Sequence, residues 1–209
     1  MNKELENILV KVGELYNNYG IKSVTMDDVA RELGISKKTL YQYVENKNDL
    51  VSKVLDYMLD LKNCSFKEIT EKDQNAIEAL LEVGVYIIKS INDYNSSTLY
   101  DLKKYYPELS QKFHNIRKER MYNAIIKNIE KGKNEGLYRI DMNTEIIAKI
   151  QTSRFIHMSS GDFFDRDEML KPQYVMELFI YHIRGIANSK GIEVLEKTLE
   201  KIDIQEYLH

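Results

Sequence analysis

Only two prolines, Pro107 and Pro172, and nine glycines interrupt 209 residues. A β-rich chain needs a turn signal about every 8–12 positions, so a chain punctuated this sparsely folds as long helices. The composition can support them. Hydrophobic residues make up 43% of the chain, enough to build a core, and charged residues 30%, enough to solvate the outer faces. The expected fold class is all-α.

The apolar spacing places the helices. Leu5, Ile8, Leu9, Val12, Leu15 and Tyr19 recur at intervals of three and four and predict an amphipathic helix from 3 to about 18, closed by Gly20. Thr25, answered by Asp28 three residues later, caps a short second helix with Val29, Ala30 and Leu33 on its apolar face, and Gly34 stops it. Ser36 caps a third short helix carrying Leu40 and Tyr43. Asn46 with Asp49 opens a fourth that holds Leu50, Val51, Val54, Leu55, Met58 and Leu61. Beyond Ser65 the pattern predicts helices over 73–92, 97–106, from about Leu109 to Glu135 (closed by Gly136), 143–159 and 172–189. A last helix, 192–202, is expected to be set off by Gly191, and Ser160–Lys171 reads as the best loop.

Other features exclude whole classes. Cys64 is the only cysteine, so no intramolecular disulfide forms and a reducing compartment is expected. No charged start leads into an apolar run with a small-residue cleavage site, and no apolar run nears the roughly 20 residues that span a bilayer. A cytoplasmic protein without a membrane partner is the expectation. There is no Gly-rich phosphate loop, nucleophile elbow or placed acid–base pair, so neither catalysis nor a cofactor is expected. His114, His157 and His182 lack metal-ligand spacing, and the acidic run Asp162, Asp165, Asp167, Glu168 lacks the glycine and terminal glutamate of a calcium loop. No metal is expected.

The informative segment is Thr25–Leu50, TMDDVARELGISKKTLYQYVENKNDL. Two short helices cross steeply only if something small sits at their contact. Ala30 supplies that residue, and Gly34 supplies a left-handed turn at little steric cost. Val29, Ile35, Leu40 and Tyr43 fall on the buried faces, which leaves Lys37, Lys38, Thr39, Tyr41 and Gln42 outward on a helix sized for the major groove. Lysine pairs with phosphate or guanine acceptors, Gln42 bonds a base edge in two places, and Thr39 offers a methyl for thymine. Tyr41 and Tyr43 donate to phosphates. Thr25 and Lys47 stand at helix N-termini, where free N–H groups favour an anion. The net charge of −3 gives no general support for nucleic acid, but between Ser36 and Lys53 four lysines oppose Glu45 and Asp49, a local balance of +2. The net acidity of the chain also argues against a DNA-coating protein indifferent to sequence, whose whole chain would be basic.

Thr25, Val29-Ala30, Leu33-Gly34-Ile35-Ser36 and the run from Thr39 to Lys47 followed by Leu50 resemble the tetracycline-repressor (TetR) family. Val44 replaces the phenylalanine commoner in that signature. The match rests on about the first 55 residues, with an echo in EGLYRID at 135–141. The resemblance implies a helix-turn-helix DNA-binding domain over 1–47 and a helical ligand-binding and dimerisation domain over 48–209. It further implies a homodimeric repressor that binds a palindromic double-stranded operator and is released by a small-molecule effector. Tyr86, Tyr100, Phe113, Arg117, Met121, Phe155 and Met158 are the candidates to line the effector pocket, although aromatics at helical spacing are also ordinary core. Val175, Leu178, Phe179, His182, Ile183 and Ile186 form a stripe that is equally core when taken alone. Beside helix 143–159 it is expected to pair across a two-fold axis.

Overall fold

The computed structural model describes residues 2–90, 96–158 and 171–201, with backbone only at 96, 157 and 158. Ten helices run in order through them: α1 Lys3–Tyr19, α2 Met26–Leu33, α3 Lys37–Leu40, α4 Lys47–Thr70, α5 Ala76–Lys89, α6 Ser96–Tyr105, α7 Pro107–Asn134, α8 Thr144–Met158, α9 Pro172–Ile186 and α10 Ser189–Lys201. No strand occurs among the described residues, only an isolated antiparallel bridge between Tyr138 and Ala187.

The expected boundaries follow from local chemistry. Gly20 ends α1 at φ 79°, with its N–H on the Tyr16 carbonyl. Asn75 opens α5 by accepting from the N–H groups of Ile77 and Glu78, while Glu78 reaches back to the Asn75 N–H at 3.1 Å. Pro107 and Pro172 each stand at the first position of a helix, where the missing N–H costs nothing. Helix α4 continues through Cys64 and Ser65 to Thr70, past the thinning of its apolar pattern. The acidic run 162–168 and all but Lys171 of the expected 160–171 loop lie outside the described residues, as does the Met158 side chain.

The chain divides into two compact units. One joins residues 1–65 to 92–117, and the other joins 66–91 to 118–209. In the first, Ile8, Leu9, Val12, Val29, Leu40, Leu50, Val51 and Val54 form a core that also takes in Leu102 from α6. In the second, Ile77 and Leu81 of α5, Ile125 and Ile129 of α7, Met176, Phe179 and Ile183 of α9 and Leu195 of α10 share one cluster.

A joint ties the end of α7 to the start of α10. Arg139 N–H donates to Ile186 O at 2.9 Å and Asn188 N–H to Leu137 O at 3.0 Å, while the Asn188 amide donates to Gly136 O at 2.9 Å. Gly191 does not separate a helix here. It sits buried in the first turn of α10, and a Cβ on it would overlap the Leu137 carbonyl oxygen. The break falls at Ala187, whose backbone is extended, and Asn188 caps α10 by accepting from Gly191 N–H at 3.0 Å. Lack of a side chain, not freedom of φ, is what this position requires.

The stripe expected to pair two subunits is inside the chain. Val175, Phe179, His182, Ile183 and Ile186 are buried in the second unit's own core, and Leu178 is half-buried. The Phe155 ring packs on Phe179 at 5.4 Å. Burial forces His182 down to about 4, chiefly because charging it would cost hydration, with Arg154 adding repulsion. The exposed apolar groups of these helices are instead Ile146 and Ile150, one turn apart on α8, and Tyr181 on α9, with the Arg154 guanidinium 4.9 Å from the Tyr181 ring.

Candidate nucleic-acid interface

The site is built from the caps outward. Thr25 Oγ1 accepts from Asp28 N–H at 3.2 Å, and Asp28 Oδ2 accepts from the Thr25 N–H at 3.0 Å and its hydroxyl at 2.7 Å. These bonds, then the Arg31 guanidinium, hold the Asp28 carboxyl below the usual carboxylate range. At the other end of α2, Gly34 adopts φ 66°, ψ 27°. Its N–H bonds Arg31 O at 3.1 Å and Ile35 N–H bonds Ala30 O at 3.0 Å, the paired bonds of a Schellman turn. Nothing lies within 4 Å of where a Gly34 Cβ would be, so the glycine serves the left-handed backbone alone.

That turn aims α3. Ser36 Oγ accepts from Thr39 N–H at 3.0 Å, and Leu40, fully buried, nails the single helical turn to the core. Lys37, Lys38, Tyr41 and Gln42 are exposed around it, and Thr39 is half-buried with its hydroxyl 2.7 Å from Ser36 Oγ. The sequence-expected outer face therefore exists as a surface. Three of the expected DNA-contacting residues, Lys37, Tyr43 and Lys47, are engaged within the chain. Lys37 Nζ lies 3.0 Å from Asp27 Oδ2, and that bond raises its pKa. Both groups are solvent-exposed, so water and salt screen the pair and it exchanges readily for a phosphate. The Tyr43 hydroxyl donates to Glu4 Oε2 of α1. Lys47 is half-buried and donates to Lys22 O at 3.3 Å; burial lowers its pKa against the attraction of Asp101 and Asp28.

Sequence reasoning missed Lys22 and Asp101. Asp101 Oδ2 accepts from Lys22 N–H at 2.8 Å across 79 positions of chain, a partnership that no local pattern announces.

The described pocket candidates are divided between the two units. Tyr100, Phe113 and Arg117 belong to the first unit, and Tyr86, Met121 and Phe155 to the second. Tyr100 is exposed beside Lys104, Phe113 is buried, and the Arg117 guanidinium lies 5.7 Å from the Phe113 ring. Tyr86 packs edge-on against Phe66 at 5.1 Å, and Met121 and Phe155 pack on the second core. Phe113 lines an apolar cavity of about 30 Å³ with Gly13, Tyr16, Met58 and Leu102. That volume suits a water or two and falls far below the roughly 300 Å³ of a small-molecule site. The buried Tyr16 hydroxyl has no hydrogen-bond partner among the described residues, and burial, then Tyr106, raises its pKa.

A capped pair of short helices joined by a left-handed glycine, with a polar face outward, defines a helix-turn-helix. Residues 9–54 match the family model described as bacterial regulatory proteins, tetR family. The chain resembles that family over this stretch, about a fifth of its length. It is similar to the HTH-type transcriptional regulator YvaF of Bacillus subtilis, at 29% identity over 102 residues, 48% of this chain and 53% of that protein. It is also similar to an HTH-type transcriptional regulator of Staphylococcus aureus, at 31% identity over 67 residues, 32% of this chain and 36% of that one. The matches thus span about half of the first relative and about a third of the second. Among solved structures, a transcriptional regulator from Cytophaga hutchinsonii superimposes with TM-score 0.72 at 17% identity, covering 90% of this chain and all of that one. SmeT, the repressor of the Stenotrophomonas maltophilia multidrug efflux pump SmeDEF, does so with TM-score 0.68 at 12% identity, covering 88% and 91%. Among the described residues no helix is long and apolar enough to cross a membrane.

Proposed function

We propose that the chain is a homodimeric, cytoplasmic repressor that binds a palindromic operator and is released from it by a small molecule. The observation that carries the DNA-reading part is the exposed face of α3, held outward by Leu40 beneath it and by the Ser36 cap. On this reading Lys37, Lys38, Thr39 and Gln42 meet base edges, and Thr25, Tyr41, Tyr43 and Lys47 meet phosphates. Residues 1–47 are the reading head and 48–209 carry dimerisation and effector binding. The repressor role is supported by likeness to SmeT, itself a repressor.

The dimer surface we assign is the exposed one on α8 and α9. Ile146, Ile150 and Tyr181 leave apolar area in water that a second copy would cover, and Gly185, with open space around it, lets a partner helix approach closely. The effector site is assigned to the second unit, around Tyr86, Met121 and Phe155. Selection of bound fragments from the source genome, followed by binding curves on the recovered duplex, tests the reading. Gln42→Ala should lose about tenfold in affinity and relax the site preference, a typical cost for one base contact. Unchanged affinity and preference would remove α3 as the reader, and a strictly monomeric chain by sedimentation at micromolar concentration would remove the dimer.

A further inference from the structure

The end of α6 lies against the turn between α1 and α2. Asp101 accepts from Lys22 N–H at 2.8 Å, the Thr98 hydroxyl donates to Tyr16 O, and a Cβ on Gly20 would come within 2.9 Å of Asp101 Oδ2. These groups all belong to the first unit. They bring α6 to the turn that leads, three residues after Lys22, into Thr25.

The side chains there make a continuous strip. Lys47 Nζ donates to Lys22 O at 3.3 Å, and Lys22 Nζ donates to the Tyr105 hydroxyl at 2.9 Å and sits 4.7 Å from its ring. Lys104 Nζ lies 5.4 Å from the same ring and donates to the Tyr100 hydroxyl at 2.9 Å. Neither Lys22 nor Lys104 forms a salt bridge among the described residues. Their partners are phenols, which orient an ammonium without neutralising it. The carboxylates whose fields reach the strip are Asp101, at both Lys47 and Lys104, and Asp28, at Lys47, and each already accepts a backbone N–H. Hydrogen bonding from Lys22, then the field of Lys104, lowers the pKa of the Tyr105 phenol. In a chain of net charge −3, Lys22, Lys47 and Lys104 stand here as local positive charge beside exposed Tyr100 and Tyr105.

We infer that Lys22 and Lys104, with Tyr105 between them, form a second phosphate-binding edge continuous with Thr25 and Lys47, so that the head grips DNA backbone outside the bases it reads. The inference rests on the DNA-reading assignment above. A duplex strand presents a phosphate about every 3.4 Å along its axis, a ladder that suits a strip of spaced ammonium groups better than any single anion does. Such contacts add affinity without sequence information.

The test uses the full chain and the duplex recovered by selection, in a short form and in one extended at both ends. Anisotropy titrations across salt concentrations compare the native chain with Lys22→Ala/Lys104→Ala and with Lys104→Glu. Each lost phosphate contact lowers the slope of log K against log salt by about 0.9, so the double variant should lose about 2 in slope per bound head and about tenfold or more in affinity near 0.1 M salt. Its preference among fragments should not change, and the loss should be larger on the extended duplex. Lys104→Glu, at an exposed helical position, should weaken binding while melting as the native chain does. Native affinity and slope in both variants would overturn this edge while leaving α3 as the reader, and would point to an acidic protein as the partner of the strip. Failure of the native chain to bind any duplex at low salt would overturn both readings.

Discussion

Gly34 and Gly191 are both indispensable glycines, for opposite reasons. Gly34 has open space where a side chain would go and a backbone angle that side chains resist; Gly191 has ordinary helical backbone and no space at all. The first demand is set by the residue and its two neighbours. The second is set by Leu137, more than fifty positions away in sequence. The head is organised by demands of the first kind, with caps at Thr25 and Ser36 and a turn at Gly34. The second unit is organised by close approach between distant helices. A sequence can advertise a local demand, because the residue that meets it stands where the need is. A steric demand imposed from afar leaves only an unexplained glycine.

Substitution can break this contrast. Gly191→Ala forces the Leu137 carbonyl and the start of α10 apart and should cost about 3 kcal/mol by thermal or urea unfolding. Gly34→Ala meets no atom and should cost only about 1 kcal/mol, the price of a left-handed alanine. Equal costs would end the distinction. His182 probes the same crowded unit by pH. Its neutral form is favoured in the fold, so the stability it contributes is intact above the unfolded-state pKa near 6.5 and drains away as pH falls through about 4. The loss amounts to at most about 3 kcal/mol. His182→Gln should flatten the melting profile between these pH values, and a profile as steep as that of the native chain would mean the ring is solvated. The smallest expected effect lies at the head's surface. Thr25→Ala removes one cap and should cost about 1 kcal/mol, with DNA binding weakened equally for all sequences. Weakening that depends on sequence would move Thr25 from the backbone to the bases.

The same contrast explains what was legible. The ends of α1 and α2 fell where Gly20 and Gly34 announced them, α3 began after Ser36 but stopped at Leu40, short of the Tyr43 expected on it, and the Thr25–Asp28 box was visible as two letters three apart. The outward Lys38, Tyr41 and Gln42 followed from the periodicity that buries Leu40. In the second unit periodicity located the helices but not their surroundings. Phe179 and Ile183 carry the same signal whether their cover comes from α5 or from a second copy, and here α5 lies against α9. Aromatic letters could not foretell that Tyr100 would stand in solvent while Phe113 turned inward. Nor could Lys22 be tied to Asp101, since chain separation hides such pairs.

One turn of helix is a small alphabet. With α3 only four residues long and one of them, Leu40, turned inward, a single copy spells out a few base pairs at most. At about 1–3 kcal/mol of discrimination per base pair, so short a word recurs far too often among the roughly 10⁶ or more competing sites of a genome to serve as an address. If α3 is the reader proposed above, its brevity implies that selectivity comes from spelling the word more than once, at a fixed distance, rather than from lengthening it.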